Sequence, residues 1–284
     1  MKLLEVRDLT IQYGEYVVTD HVSFSLEEGQ WLMIVGPNGA GKSTILNALS
    51  RGVPYKGEIL FHGQDIRKLR SMELARHIGV LAQNHMVGYG FKVQEVVNLG
   101  RYAYRKGLMK GTGEQDEGAV QNALRDTGLE ELAHKSVLQL SGGELQRTFL
   151  AQLFAQNPDI MILDEPANHL DLIYQKQTYE LIGNWLHAMP GRAVISVVHD
   201  LSHAKRYGSH CMLLNHGHKA ALGKTQDVLT PENLEQVYGM DVYAWMRQML
   251  GQWETKSPAA DGGSSCEKPS GIAGQAIANQ SEIV

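Results

Sequence analysis

Apolar and polar residues alternate along residues 3–26, in short segments separated by turn-forming residues at Tyr13-Gly14 and Glu28-Gly29. This pattern predicts antiparallel strands that form a small β layer. The next segment, Trp31–Val35, is apolar at every position, which is typical of a buried parallel strand. A glycine-rich turn follows it, and residues 43–50 have a helical pattern. The N-terminal part therefore predicts a β layer followed by a strand, a loop and a helix.

The pattern becomes mostly helical between residues 87 and 157, and strand signals return after it. Two apolar strands separated by a helical stretch predict a βαβ unit, which normally builds a parallel sheet. We therefore predict an α/β fold whose core is split around an inserted α-helical subdomain. The predicted helices are residues 93–99, 115–127, 144–155 and 174–186, and the predicted strands are 160–163 and 193–198.

The last residues, 255–284, are rich in Ser, Gly, Ala and Pro and contain few large apolar side chains. Such a composition cannot bury enough apolar surface to offset the entropy lost on ordering the chain. We predict a disordered tail.

The overall composition fits a soluble globular protein, with 43% hydrophobic and 20% charged residues among 284. A formal net charge of −5 argues against a protein whose main role is to bind nucleic acid. The two cysteines, Cys211 and Cys266, have no disulfide or metal-ligand spacing. Charged residues near the N-terminus argue against a signal peptide, and no apolar run approaches the roughly 20 residues that cross a bilayer. Any membrane role is therefore expected to depend on a partner.

A phosphate-binding loop is predicted between the apolar strand and the helix that follows it. Its glycines let backbone N–H groups turn toward phosphate, Lys42 reaches the β and γ phosphates, and the Ser43 hydroxyl binds Mg²⁺. The helix directs its positive end at the anion. A chance glycine-rich turn is the alternative. The loop is Gly36-Pro37-Asn38-Gly39-Ala40-Gly41-Lys42-Ser43, followed by Thr44.

Two carboxylates follow the apolar strand at residues 160–163. Ligands of open α/β sheets bind at the carboxyl ends of the strands. We therefore expect Asp164 to hold Mg²⁺ through water and Glu165 to polarise the attacking water. An acidic turn at the end of a strand is the alternative, and the neighbouring phosphate loop disfavours it.

A second anion-binding helix end is predicted at Leu140-Ser141-Gly142-Gly143-Glu144. Ser141 can cap a helix that starts near Glu144, and the two glycines leave bare N–H groups at its tip. An ordinary serine-capped helix would look the same locally. Its position shortly before the acidic strand favours a functional role.

Together these motifs resemble the nucleotide-binding subunit of the ATP-binding cassette (ABC) family over residues 3–252. The resemblance implies a P-loop NTPase (RecA-like) core at 1–86 and 156–254 within an ATPase domain of 1–254, with the helical subdomain at about 87–155. It also implies ATP and Mg²⁺ as cofactors. In this family the signature, here Ser141 to Glu144, completes the ATP site of a second copy, so that two ATP molecules lie within a dimer.

The resemblance assigns roles to four further residues. Tyr13 resembles the aromatic residue that stacks on adenine, although a core tyrosine is the alternative. Gln83 resembles the glutamine that contacts Mg²⁺ and responds to the membrane partner. Asp171 resembles the residue that communicates across the dimer, and His199 the histidine that hydrogen-bonds the γ-phosphate and aligns Glu165. The catalytic residues are therefore expected to be Glu165, His199 and Lys42, and the Mg²⁺ ligands Ser43, Gln83 and Asp164.

The sequence departs from the commonest family pattern at two places. Glu144 stands where many members have glutamine, and Asn168-His169 precede Leu170-Asp171. Neither change removes a group that the chemistry requires. His199 and His203 share the spacing of two metal ligands on a helix, but no third ligand is evident, so the family role of His199 is the better interpretation.

Three segments resemble importers of ferric siderophores, haem and cobalamin: 95–102, 198–204 and above all 227–239. An ordinary amphipathic C-terminal helix is the alternative for the last. The resemblance implies two ATPase subunits, two separate integral-membrane permease subunits and an extracytoplasmic substrate-binding protein, with this chain at the cytoplasmic face of the membrane. An exporter ATPase and a soluble ABC ATPase without a membrane partner are the competing functions.

Overall fold

The computed structural model describes residues 1–83, 89–104 and 113–252. Residues 1–243 form one compact unit, and the residues from 244 onward belong to a second one. The predicted disordered tail at 255–284 lies outside the described residues.

The N-terminal residues form a four-stranded antiparallel sheet in the order β2-β1-β4-β5, of which the alternating pattern at residues 3–26 predicts β1 and β2. The first strand contains a bulge, where Asp8 has a φ of 48° and its N–H donates to Ser23 Oγ (2.8 Å). The strands are β1 (Lys2–Tyr13), β2 (Tyr16–Glu27), β4 (Lys56–Phe61) and β5 (Gln64–Asp65).

A six-stranded sheet in the order β10-β9-β3-β8-β7-β6 forms the centre of the first unit. Its strands from β9 to β6 are parallel, and β10 pairs antiparallel at one edge. The parallel strands therefore end at the same edge of the sheet. They are β3 (Trp31–Val35), β6 (Ile78–Leu81), β7 (Ile160–Asp164), β8 (Ala193–Val197) and β9 (His210–Asn215), and β10 is His218–Lys224.

The described residues also form ten α-helices. None of the helices in the described ranges is long and apolar enough to span a bilayer. The helices are α1 (Lys42–Leu49), α2 (Ser71–His77), α3 (Val93–Leu99), α4 (Glu114–Asp126), α5 (Gly142–Gln156), α6 (Leu172–Ala188), α7 (Leu201–Tyr207), α8 (Thr225–Val228), α9 (Pro231–Tyr238) and α10 (Val242–Gly251).

Two separate apolar clusters stabilise the first unit. One joins both sheets and α1, and fully buried members are Leu4, Ile34 and Ile45. The other is formed by α3, α4 and α5, with Val97 and Leu124 fully buried. The helices that interrupt the α/β core thus have a core of their own, while the subdomain boundaries given above stay a prediction.

Candidate nucleotide-binding site

The glycine-rich loop lies between β3 and α1, and two of its glycines are required by close contacts. Gly36 has a φ of 147°, and a Cβ there would lie 2.3 Å from the carbonyl oxygen of Leu214 on β9. Gly41 has a φ of 92°, and a Cβ there would lie 2.8 Å from both Thr19 Oγ1 and Val18 O on β2. The loop is therefore held between the two sheets, and it leads into the N-terminus of α1.

Lys42 is buried at the start of α1, with 6% of its surface exposed. Its Nζ donates to the carbonyl oxygens of Gly36 and Pro37, both at 2.8 Å. Burial lowers the pKa of Lys42, and the carboxylates of Glu165 and Asp164 oppose this effect. The loop thus surrounds a cation whose charge an anionic phosphate would compensate.

Ser43 and Asp164 approach each other from α1 and the end of β7. The Ser43 hydroxyl donates to Asp164 Oδ1 at 3.2 Å. Burial raises the pKa of Asp164, and the hydrogen bond from Ser43 opposes that effect. A hydroxyl and a carboxylate beside the phosphate loop are the hard oxygen ligands that Mg²⁺ prefers, so this pair fits the predicted metal site.

The Glu165 side chain accepts hydrogen bonds from three different segments, and only 7% of it is exposed. His199 Nε2 is hydrogen-bonded to its Oε1, and Gln83 Nε2 donates to its Oε2 at 2.8 Å. Asn168 Nδ2 donates to the same Oε2. The backbone of Glu165 has a φ of 52°, and its N–H donates to Val197 O at 3.1 Å. A non-glycine residue in this left-handed region is uncommon and is found at functional sites.

The parallel sheet explains why these distant residues meet. β3 leads into the phosphate loop, β7 ends at the two carboxylates, and β6 and β8 end two residues before the glutamine and the histidine. Because these four strands are neighbours, their carboxyl ends bring the predicted residues to one edge. The residues brought together there are Lys42, Ser43, Gln83, Asp164, Glu165 and His199.

Tyr13 lies at the exposed end of β1, next to the hairpin turn. It is 51% exposed, and it pairs in register with Tyr16, which is 69% exposed. This exposure excludes the alternative of a core tyrosine. Its role at adenine stays a prediction.

Ser141 caps α5, which begins at Gly142 and therefore two residues earlier than predicted. Ser141 Oγ accepts from the Glu144 N–H at 3.3 Å, and Glu144 Oε2 accepts from the Ser141 N–H at 2.8 Å. This reciprocal pair is a capping box. The hydrogen bond from the Ser141 backbone lowers the pKa of Glu144. Ser141 and Gly142 are exposed, so a helix tip with a positive end faces solvent.

Asp171 caps α6, since its Oδ1 accepts from the Tyr174 N–H at 3.2 Å. Its carboxylate therefore has a local structural role, and its role across a dimer stays a prediction.

Three residues make contacts near the site that were not predicted from the sequence. Asn168 contacts Glu165, although the sequence marked it only as a departure from the family pattern. The Tyr174 ring packs against Gly143. Burial raises the pKa of the Tyr238 hydroxyl at the end of α9, which also receives a hydrogen bond from the Gly36 backbone. The contacts of Tyr174 and Tyr238 join residues far apart in sequence and leave no local signal, whereas Asn168 lies only three residues after Glu165.

Comparison with known proteins identifies the family of this chain. The family model described as ABC transporter matches residues 19–168 of the chain. The chain belongs to the ABC transporter family. It is an ATP-binding subunit with the P-loop NTPase fold, and subunits of this family hydrolyse ATP.

Several relatives of this ABC subunit are known. The ferric enterobactin transport ATP-binding protein of Escherichia coli is 40% identical over 84% of this chain and 87% of that protein. The hemin import ATP-binding protein of Pseudomonas entomophila is 38% identical over 84% of this chain and 94% of that protein. Among solved structures, an inward-facing ABC transporter of a proposed metal-chelate type has a TM-score of 0.75 at 26% identity. The superposition covers 85% of this chain and 90% of the matched chain.

Proposed function

We propose that this chain is the ATP-hydrolysing subunit of an importer for an iron-siderophore, haem or cobalamin-type substrate, which passes through separate membrane subunits. The arrangement that carries the proposal is the Glu165 carboxylate, held by His199 and Gln83 beside Lys42. The substrate class is supported by the relatives, which are named for the transport of ferric enterobactin and hemin.

The proposed reaction is the in-line attack of water on the γ-phosphate of ATP. Lys42 and the N–H groups of the loop from Gly36 to Thr44 hold the phosphates and neutralise their charge. Glu165 orients the attacking water and accepts a proton from it. His199, whose Nε2 is bonded to Glu165 in the nucleotide-free chain, would donate to the γ-phosphate once ATP is bound. Because Glu165 is buried among fixed donors, its orientation is set before the nucleotide arrives.

Mg²⁺ fits the oxygen atoms of Ser43 and Asp164, with Gln83 as a third ligand. When bound, the metal ion would neutralise charge on the β and γ phosphates. In the present structure the Gln83 amide donates to Glu165. The Gln83 Oε1 atom remains available for the metal ion, so this side chain can link the metal site to Glu165, which gives a membrane partner docked near it a means to influence hydrolysis.

A second copy of this chain would complete each site. The exposed tip of α5, Ser141 to Glu144, carries N–H groups but no basic side chain of its own. Such a tip contributes a helix dipole and hydrogen bonds to a phosphate that another loop already holds. We propose an ATP-sandwich dimer in which Tyr13 stacks on adenine and Asp171 contacts the partner. Two permease subunits would place the dimer at the cytoplasmic face of the membrane, with an extracytoplasmic binding protein supplying the substrate.

The segment 227–239, which resembles this importer group, forms a packed helix with strong end signals. Thr230 caps α9 and accepts from the Asn233 N–H at 3.3 Å, Pro231 occupies the first turn, and Gly239 ends the helix with a φ of 68°. Leu234 and Val237 are buried. Packing thus accounts for part of this pattern, and the importer assignment depends mainly on the relatives.

Uptake in a strain that lacks this chain tests the proposal. Labelled ferric siderophore, haem and cobalamin would each be supplied, and the strain would be complemented with the wild-type chain or with Glu165→Gln. We expect the wild-type chain alone to restore uptake of one of these substrates. Unchanged uptake in the deletion strain, together with no co-purifying membrane subunit, would favour a soluble ATPase. Accumulation of substrate in the deletion strain would favour an exporter.

A further inference from the structure

The first two turns of α5 pack directly on the segment that follows Glu165. Gln146 Nε2 donates to the carbonyl oxygen of Pro166. Gly143 lies against the Tyr174 ring so closely that a Cβ on Gly143 would be 2.7–2.9 Å from three ring carbons. The Arg147 guanidinium lies 5.7 Å from the centre of the same ring. One face of the α5 tip is therefore fitted to residues 166–174.

Hydrogen bonds also stabilise the segment 166–174 itself. The Tyr174 N–H donates to Asp171 Oδ1 (3.2 Å), and Gln175 Nε2 donates to the carbonyl oxygen of Leu170 (2.9 Å). Asn168 donates to Glu165. Because close-packed groups cannot shift independently, a movement of the α5 tip must displace this segment or break its contacts.

We propose that Tyr174 and Gln146 are positioning residues that couple the two ATP sites of the dimer through the interior of each chain. This inference rests on the proposed function, in which the α5 tip serves the nucleotide of the partner and Glu165 serves the nucleotide of its own chain. Binding of ATP at one site pulls on the α5 tip. The contact with Tyr174 and the hydrogen bond to Pro166 pass that displacement to Glu165 at the other site.

The dependence of ATPase rate on ATP concentration in the purified full chain tests the coupling. A coupled dimer gives a Hill coefficient above one and up to about two, the number of sites. Tyr174→Ala removes the ring, so we expect its Hill coefficient to fall to about one. Tyr174→Phe keeps the ring and is expected to keep the wild-type value. Lys176→Ala changes an exposed residue two positions further along α6, whose side chain is 67% exposed, and serves as the matched control.

Gln146→Met provides a second variant that does not depend on the ring. Methionine has a similar length but cannot donate a hydrogen bond to the Pro166 carbonyl oxygen. The Hill coefficient of the Gln146→Met variant should therefore also fall. Thermal melting identifies a variant that fails to fold, in which case the other variant decides. A loss of cooperativity in a folded variant, with Tyr174→Phe and Lys176→Ala unchanged, supports the coupling.

The coupling and the proposed function fail in different ways. If the folded Tyr174→Ala and Gln146→Met variants keep the wild-type Hill coefficient, or if the wild-type coefficient is one, the coupling is wrong although the chain is still an ATPase. If the wild-type chain neither hydrolyses ATP nor dimerises when ATP is bound, the proposed dimer mechanism is wrong, and the coupling is then wrong as well.

Discussion

Replacing Ser141 by alanine separates its structural role from its proposed role at the partner's ATP. The Ser141 hydroxyl accepts one hydrogen bond, from the Glu144 N–H, at a long distance of 3.3 Å and at an exposed helix end. The reverse bond, from the Ser141 N–H to Glu144 Oε2, uses a backbone donor that alanine retains. Half of the capping box therefore survives the substitution.

The expected loss of stability is small. Removal of a serine cap costs about 0.5–2 kcal/mol, and the long, exposed bond places Ser141→Ala near the lower end, at about 0.5–1 kcal/mol. In a chain of this size that corresponds to a decrease in Tm of about 1–4 °C. Differential scanning calorimetry of the chain without nucleotide measures this value.

The expected loss of activity is much larger. Loss of one preorganised donor to a reacting oxyanion lowers kcat by about 10²- to 10³-fold. Binding of ATP to the monomer should be unchanged, because Lys42 and the phosphate loop belong to the same chain as the nucleotide they hold. A coupled-enzyme phosphate assay at saturating ATP gives kcat, and equilibrium dialysis at low protein concentration gives the affinity of the monomer.

Glu144→Gln is the matched control, since an amide oxygen can still accept from the Ser141 N–H. We expect this variant to keep most of the ATPase activity and nearly all of the stability. A Ser141→Ala variant that hydrolyses ATP at the wild-type rate, or that loses ATP affinity as a monomer, would refute the assignment of the α5 tip to a partner's nucleotide.

Three further substitutions test the residues around the phosphate loop. Glu165→Gln removes the proton acceptor, so hydrolysis should fall by about 10²- to 10⁴-fold while an ATP-bound dimer accumulates on size-exclusion chromatography; turnover at the wild-type rate would exclude the assigned role. Lys42→Ala should abolish ATP binding or hydrolysis, measured by fluorescent-nucleotide titration, and unchanged binding and turnover would contradict it. Asp164→Asn should raise the Tm of the nucleotide-free chain at neutral pH. Burial raises the folded-state pKa of Asp164, so its contribution to stability is present below the ordinary pKa of an aspartate and is lost as pH rises through the folded-state pKa. The Tm advantage of Asp164→Asn should therefore grow from acidic to neutral pH, and a constant difference would count against this.

The elements that carry the site were predictable because each has a strong local pattern. Trp31–Val35 and the strand at 160–163 are apolar without interruption, as expected of parallel strands covered on both faces. Helix α3 was predicted at its observed limits, Val93–Leu99. The start of α5 was misplaced by two residues because glycines are poor helix formers. The capping box nevertheless recruits Gly142 and Gly143 into the first turn.

Contacts between distant segments were beyond sequence reasoning. The bulge at Asp8 joins two alternating segments into one strand, and it is stabilised by a hydrogen bond to Ser23 on the neighbouring strand. Likewise, the need for glycine at position 36 arises from the carbonyl of Leu214, on a strand far along the chain. Neither partner can be identified without the pairing of the strands.

Glu165 shows how such contacts define a functional group more sharply than its motif does. An acidic residue after an apolar strand is common and carries little information alone. Here the residue adopts a positive φ that costs of order 1–3 kcal/mol. Its backbone N–H is fixed by Val197 and its carboxylate by His199, Gln83 and Asn168. Side chains from three segments thus hold the carboxylate of a residue whose backbone conformation is unfavourable. Packing alone gives no reason for that cost. A fixed carboxylate beside Lys42 of the phosphate loop does give one under the proposed mechanism, in which Glu165 orients the attacking water.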